Sequence, residues 1–159
     1  MREILFRGKA IKDINSDLTV NTQWVYGYYA KIKPCTGIYG KKEEYIEEEI
    51  PKIISGQEAI TVNPNTIGQY TGLKDKNGKK IFEWDMVKCY DKNVDESFFA
   101  IIMFGNPNGF YNYGWQLKPI GKTDFNVDIL CWVDMEDTGA YIEIIGNIYE
   151  NPELLEDQA

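Results

Sequence analysis

Apolar and polar positions along this chain fall into short runs separated by turn residues, without a sustained helical rhythm. From Trp24 to Ile32 (Trp-Val-Tyr-Gly-Tyr-Tyr-Ala-Lys-Ile) aromatic and β-branched residues follow one another with no 3.6-residue period, which reads as strand. Residues 2–7 read as a short opening strand. Further strands are predicted over 81–82, 86–90, 98–104, 110–117, 127–133 and 141–148. The breaks between them are Lys33-Pro34-Cys35-Thr36-Gly37, Asp75-Lys76-Asn77-Gly78 and Gly105-Asn106-Pro107-Asn108-Gly109. Asn77-Gly78 is the clearest, because Asn-Gly supplies the positive φ angles of a tight hairpin. Residues 41–51 carry the densest charge and suit a short helix or a solvated edge strand. They are read here as strand, and Pro51 ends either one. Helix is confined to single turns, one starting in Asn63-Pro64-Asn65-Thr66 and one at Asn151-Pro152-Glu153, where Pro and acids suit a helix start. Short strands at this spacing predict a mainly β fold, a small barrel or sandwich with minor helix.

Composition agrees with that pattern. Aromatics make up 14% of the 159 residues, and such side chains fit half-buried pleated surfaces. The length suits one domain, or two subdomains over 1–62 and 63–159. The formal charge is −8, and residues 122–159 hold ten acids against the single Lys122. That segment repels phosphate and membrane surface alike; it reads first as a charge that keeps the chain soluble, the alternative being a contact with a basic partner. Ile4-Leu5-Phe6 is far shorter than a secretory core of roughly seven to fifteen apolar residues. No window approaches the ~18 apolar residues of a membrane span. Cys35, Cys89 and Cys131 are widely spaced and odd in number, so reduced, buried thiols in a reducing cytosol are expected.

The segment Gly68-Gln69-Tyr70-Thr71-Gly72-Leu73-Lys74-Asp75-Lys76-Asn77-Gly78-Lys79-Lys80-Ile81-Phe82-Glu83 closely resembles the signature of the YopX family. Phe6-Arg7-Gly8-Lys9 and Trp24-Val25-Tyr26-Gly27-Tyr28-Tyr29 match the usual opening of that family, and Ile145-Gly146-Asn147-Ile148-Tyr149-Glu150-Asn151-Pro152-Glu153-Leu154 matches the usual close. The resemblance implies a phage or prophage protein, a β-rich fold, and a C-terminal half similar to a small Src-homology-3-like barrel. It implies no activity. One position departs: the family usually has Glu-Gly-Asp where this chain has Glu83-Trp84-Asp85. If that Gly serves a special backbone conformation, Trp84 changes the local geometry expected there, and its ring reads either as a harmless exposed group or as an added contact at an interface.

Much common chemistry is excluded outright. The chain has no histidine, which removes imidazole bases, His-activated nucleophiles and His-ligated metals. Ser16, Ser55 and Ser97 lie in no G-x-S-x-G elbow, and no phosphate loop or dinucleotide fingerprint is present. The acid pair Glu83/Asp85 and the cluster Asp134/Glu136/Asp137 are the remaining metal candidates, but no acid stands two residues before a Lys as in many nucleases. No catalytic, metal or cofactor residue is therefore assigned. The candidate interaction surface is Lys74, Lys76, Lys79, Lys80 and Trp84 with Trp24, Tyr26 and Tyr28. A non-enzymatic accessory protein acting through protein–protein contact as a homo-oligomer, or with a host or phage protein, is the leading expectation. The alternative is a weak nucleic-acid module using the lysine hairpin, since small barrels bind single strands beside stacked aromatics. Only two arginines, Arg2 and Arg7, stand against fifteen lysines, which argues against sequence reading. A metal-dependent enzyme comes third.

Overall fold

The computed structural model describes residues 3–11, 23–32, 50–93, 95–106, 113–121, 127–133 and 139–156. All the strand pairings among them are antiparallel, and the chain divides into two units: Ile4–Gln69, and Met1–Glu3 with Tyr70–Ala159.

In the first unit, β1 (Phe6–Lys9), β2 (Trp24–Ile32), β3 (Ile50–Ser55) and β4 (Glu58–Thr61) stand in the order β4-β3-β2-β1. The start of β5 (Gly68–Lys74) pairs with β1 at Phe6↔Gln69 and Arg7↔Gly68. The opening strand thus begins at Phe6, later than residues 2–7 predict. The β3–β4 hairpin was not predicted at all. It closes through Gly56, whose φ of 62° suits a residue without a side chain. Ile53 and Val62 are fully buried and pack beside Gly8. A 3-10 turn at Pro64–Thr66 follows, as expected. The Asn63 side chain accepts the N–H of Asn65, and Thr66 latches the turn to β1 by accepting the Lys9 N–H at 2.9 Å. The charged run over 41–49 lies outside the described residues.

The second unit holds β6 (Lys80–Phe82), β7 (Asp85–Asp91), β8 (Glu96–Gly105), β9 (Gly114–Pro119), β10 (Val127–Asp128) and β11 (Ala140–Asn147). Five of these form a sheet in the order β10-β9-β8-β7-β11, and β6 pairs with β5 at Tyr70↔Phe82 and Lys74↔Lys80. The sheet is a linear ladder with edges at β10 and β11, so the closed barrel implied by the family resemblance is not found among the described residues. Its core cluster takes every second residue along β7, β8 and β9, while Met86 and Gln116, which alternate with them, are fully buried as well. Val87 and Cys89 of β7 meet Ala100 and Ile102 of β8, Trp115 and Leu117 of β9, and Ile142 of β11. Burial pushes the Cys89 thiol up to about 12, whereas Cys131 is exposed, against the expectation of buried thiols. A thiol reagent at pH 8 is expected to label Cys131 in the folded protein and Cys89 only after unfolding; mass spectrometry of the labelled peptides reads this directly.

The strand predicted over 127–133 stops at Asp128. Its carboxylate accepts the Leu130 N–H at 2.9 Å, and α1 (Leu130–Val133) follows as one helical turn. The C-terminal turn α2 (Glu153–Glu156) forms where Pro152 and the acids predict it.

Trp84 adopts the left-handed conformation, φ 69°, that a glycine would take without strain. Its N–H donates to the Ile102 carbonyl at 2.9 Å, and its own carbonyl accepts the Ile148 N–H at 3.2 Å. Those bonds to β8 and to the segment after β11 fix the turn, so the ring rides on a backbone shape set by its neighbours. Trp84→Gly is accordingly expected to be more stable than Trp84→Ala by about 1 kcal/mol, although alanine is the larger residue. Paired urea titrations of the two variants measure that difference. Equal midpoints would mean the backbone stores no strain there.

Candidate functional site

The signature hairpin is held by one buried carboxylate. Asp75 Oδ1 accepts the N–H groups of Asn77 and Lys79, both at 2.9 Å, and Oδ2 accepts the N–H of Ile144 on β11 at 3.2 Å. The Lys76 N–H in turn donates to the Ile142 carbonyl at 2.9 Å. Asp75 therefore closes the Asp75–Gly78 turn and ties it to β11. Asp85, the sequence's metal candidate, is also buried, and its Oδ2 accepts the Phe82 N–H at 2.8 Å. The closing motif works in the same manner. Asn147 Oδ1 accepts the N–H groups of Tyr149 and Glu150, and its Nδ2 donates to Glu150 Oε2 at 2.9 Å. In this chain much of the segment over 68–83 and of the closing motif is thus turn chemistry, in which short polar side chains stand in for backbone partners.

The four hairpin lysines do not form one open cationic track. Lys76 Nζ lies 2.7 Å from Glu143 Oε2 and 4.2 Å from the centre of the Tyr141 ring. The hydrogen bond between them raises the Lys76 pKa and lowers that of Glu143. Lys80 Nζ sits 2.8 Å from Glu3 Oε2 and 5.2 Å from the Tyr70 ring. Lys74 and Lys79 are exposed. A cavity of about 580 Å³ beside the hairpin is bordered by Lys74, Lys76, Leu73, Trp132 and Tyr141. Trp84 lies half-buried in the turn before β7.

Trp24, Tyr26 and Tyr28 belong to the other unit, where alternation along β2 places them on one sheet face. Arg7 lies 4.6 Å from the centre of the Trp24 ring and Lys9 Nζ 5.5 Å from it, so that ring is engaged within its own unit. Tyr26 and Tyr28 are 46% and 66% exposed. The Asp134–Asp137 acids lie outside the described residues, as does Cys35.

A second aromatic group was not anticipated from the sequence. Phe104 at the end of β8 stands edge-on to Tyr113 (5.7 Å between centroids, 80°) and to Trp115 on β9 (4.9 Å, 65°). Phe104, Tyr113 and Leu130 are 50%, 75% and 57% exposed. With Asp128 and Gly72 they border a cleft of about 420 Å³ within the C-terminal unit. The only hint of it in the sequence is that Phe104 ends one predicted strand and Tyr113 lies in the next.

These features define a β-rich protein of two antiparallel units, whose longest motif is a hairpin latch and each of whose units carries exposed aromatics. The chain belongs to the YopX family: the family model described as YopX protein matches residues 19–156. A similar solved structure is that of protein EF1440 from Enterococcus faecalis, 22% identical over 98% of this chain and 99% of that chain, with a TM-score of 0.46. No match is found among curated proteins. Among the described residues no helix is long and apolar enough to cross a membrane.

Proposed function

We propose that this chain is a non-enzymatic phage or prophage accessory protein, working in the cytosol of the bacterial host through protein–protein contact as a homo-oligomer. The observation that carries this reading is the tyrosine pair on β2. Two large rings on adjacent same-face positions, Tyr26 and Tyr28, stand about half and two-thirds exposed on a sheet face. Tyrosines there supply apolar contact area with little rotamer entropy to lose. Sedimentation velocity tests the reading. The native chain is expected to sediment as an oligomer, and Tyr26→Ser/Tyr28→Ser to shift the mass towards the monomer. A monomeric native chain at tens of micromolar removes the self-association reading.

Nucleic-acid binding through the hairpin is the weaker alternative. Lys76 and Lys80 are each ion-paired to a carboxylate, so a phosphate would have to displace Glu143 and Glu3 to reach them. The chain's −8 charge opposes the approach as well. Single-stranded DNA is expected to bind no tighter than roughly 10⁻⁵ M near physiological salt. Submicromolar binding that is lost on replacing Lys74, Lys76, Lys79 and Lys80 together would reverse the ranking.

A further inference from the structure

The charge of this chain is divided unevenly between its units. Residues 4–69 hold eight acidic and eight basic side chains, whereas the C-terminal unit holds seventeen acidic and nine basic. The cleft of Phe104, Tyr113, Leu130 and Asp128 opens on that acidic unit, and Asp128 is the only charged residue among the described residues that line it. An exposed aromatic surface beside one carboxylate has a chemical complement: a cation on an apolar stem. Lysine and arginine cover rings with their methylene stems and place the charged head over a ring face or against a carboxylate. Arginine is the better fit, because its planar guanidinium also stacks on aromatic rings.

The same unit already contains this arrangement in completed form. Lys76 Nζ sits 4.2 Å from the centre of the Tyr141 ring and 2.7 Å from Glu143, so ring, carboxylate and cation all come from one chain. In the cleft, ring and carboxylate are present, and none of the described lining residues supplies the cation.

We propose that this cleft is a docking site for a basic, extended peptide segment of a partner protein, with an arginine side chain laid against Phe104 and Tyr113 and its head paired to Asp128. The proposal rests on the protein–protein reading but uses a different surface from Tyr26 and Tyr28. Binding in trans would leave self-association on β2 unaltered. The carboxylate supplies orientation and selectivity, and the rings supply the apolar contact.

The test is a titration of the ¹⁵N-labelled full chain with N-acetyl-Gly-Arg-Gly-amide, followed through the backbone amides of residues 104, 113, 115 and 128–130 and the Trp115 indole. Saturable shifts are expected at these positions. They should be at least about fivefold weaker in apparent affinity for the citrulline analogue, which keeps the shape and loses the charge. Asp128→Asn, which keeps a side-chain oxygen for the Leu130 N–H, should weaken the arginine peptide by a similar factor and leave the citrulline peptide unchanged. Phe104→Ala should weaken both, and the dispersion of the remaining amide signals shows whether each variant is folded. Shifts of equal size for arginine and citrulline, or shifts centred elsewhere, overturn the proposal. So do changes in the cleft signals on dilution without peptide, which would assign the cleft to a second copy. Matching shifts with a thymidine hexanucleotide would make it a base-stacking site instead. Sedimentation of the Tyr26/Tyr28 variant is independent of these outcomes, so failure of the cleft leaves the oligomer reading standing, and the reverse.

Discussion

Replacing Gly27 with alanine is expected to lower stability by about 3 kcal/mol or more and to unfasten β2 from β3. Gly27 pairs with Phe6 of β1, and its neighbour Tyr28 pairs with Ile54 of β3. A Cβ built on Gly27 would run into the carbonyl group of Ile54, and it would also come 3.0 Å from Cγ2 of the fully buried Ile53. A colliding side chain can change rotamer, but a carbonyl in a strand ladder cannot move without breaking the ladder. A urea titration of Gly27→Ala against the native chain measures the loss. Gly56→Ala is the control. Gly56 has open space around it, so alanine there meets only the φ of 62° and should cost about 1 kcal/mol. Equal losses at the two positions would show that the close approach at Gly27 is not what holds the strands.

The second large effect is expected at Asp75. Asp75→Ala removes three bonds from backbone N–H groups to a buried carboxylate, on two segments 69 residues apart in sequence. Bonds to a charged acceptor are worth more than neutral ones, and the abandoned donors add their own desolvation cost. The loss should come to about 4 kcal/mol. Asp75→Asn separates the contributions. Its Oδ1 still accepts from Asn77 and Lys79, but its Nδ2 would face the Ile144 N–H, donor against donor. Its loss should be about half as large, with hydrogen exchange accelerated at Ile144 and little changed at Asn77. Similar exchange at both amides in the two variants would mean the carboxylate is not the tie between hairpin and β11.

Much of the C-terminal unit could be read from the chain. The strands at Lys80–Phe82, Asp85–Asp91, Glu96–Gly105 and Ala140–Asn147 announce themselves through β-branched and aromatic runs, and the Asn77-Gly78 turn through its chemistry. The β3–β4 hairpin was harder. Pro51 lies inside it, and proline within a strand demotes the reading, although an Ile-Ile run and a Ser-Gly turn flank the site. The strand expected to reach Val133 failed for a local reason. Asp128 offers the backbone a side-chain acceptor, which favours a turn over continued extension.

The candidate surface was legible in kind and not in detail. Tyr26 and Tyr28 follow from alternation alone, since period 2 puts them on one face. What disarms two of the hairpin lysines could not be read, because Glu3 lies 77 residues from Lys80 and Glu143 lies 67 from Lys76. The cleft was invisible for the same reason. Its members come from β5, β8, β9, β10 and the start of α1, and only the fold brings Leu130 beside Phe104.

The latch at Asp75 has a kinetic side. Strands β7, β8 and β9 are neighbours in sequence and can zip as the chain emerges, but the partner on the other edge of β7 arrives only with β11, where Cys89 faces Ile142. Until Ile144 leaves the ribosome, Asp75 lacks its third donor and β7 presents an open edge. Long-range pairings of this kind slow folding and expose strand edges to other chains. A nascent chain stalled before Ala140 should therefore be protease-sensitive and prone to aggregate, and β11 would act as the clasp that ends that interval.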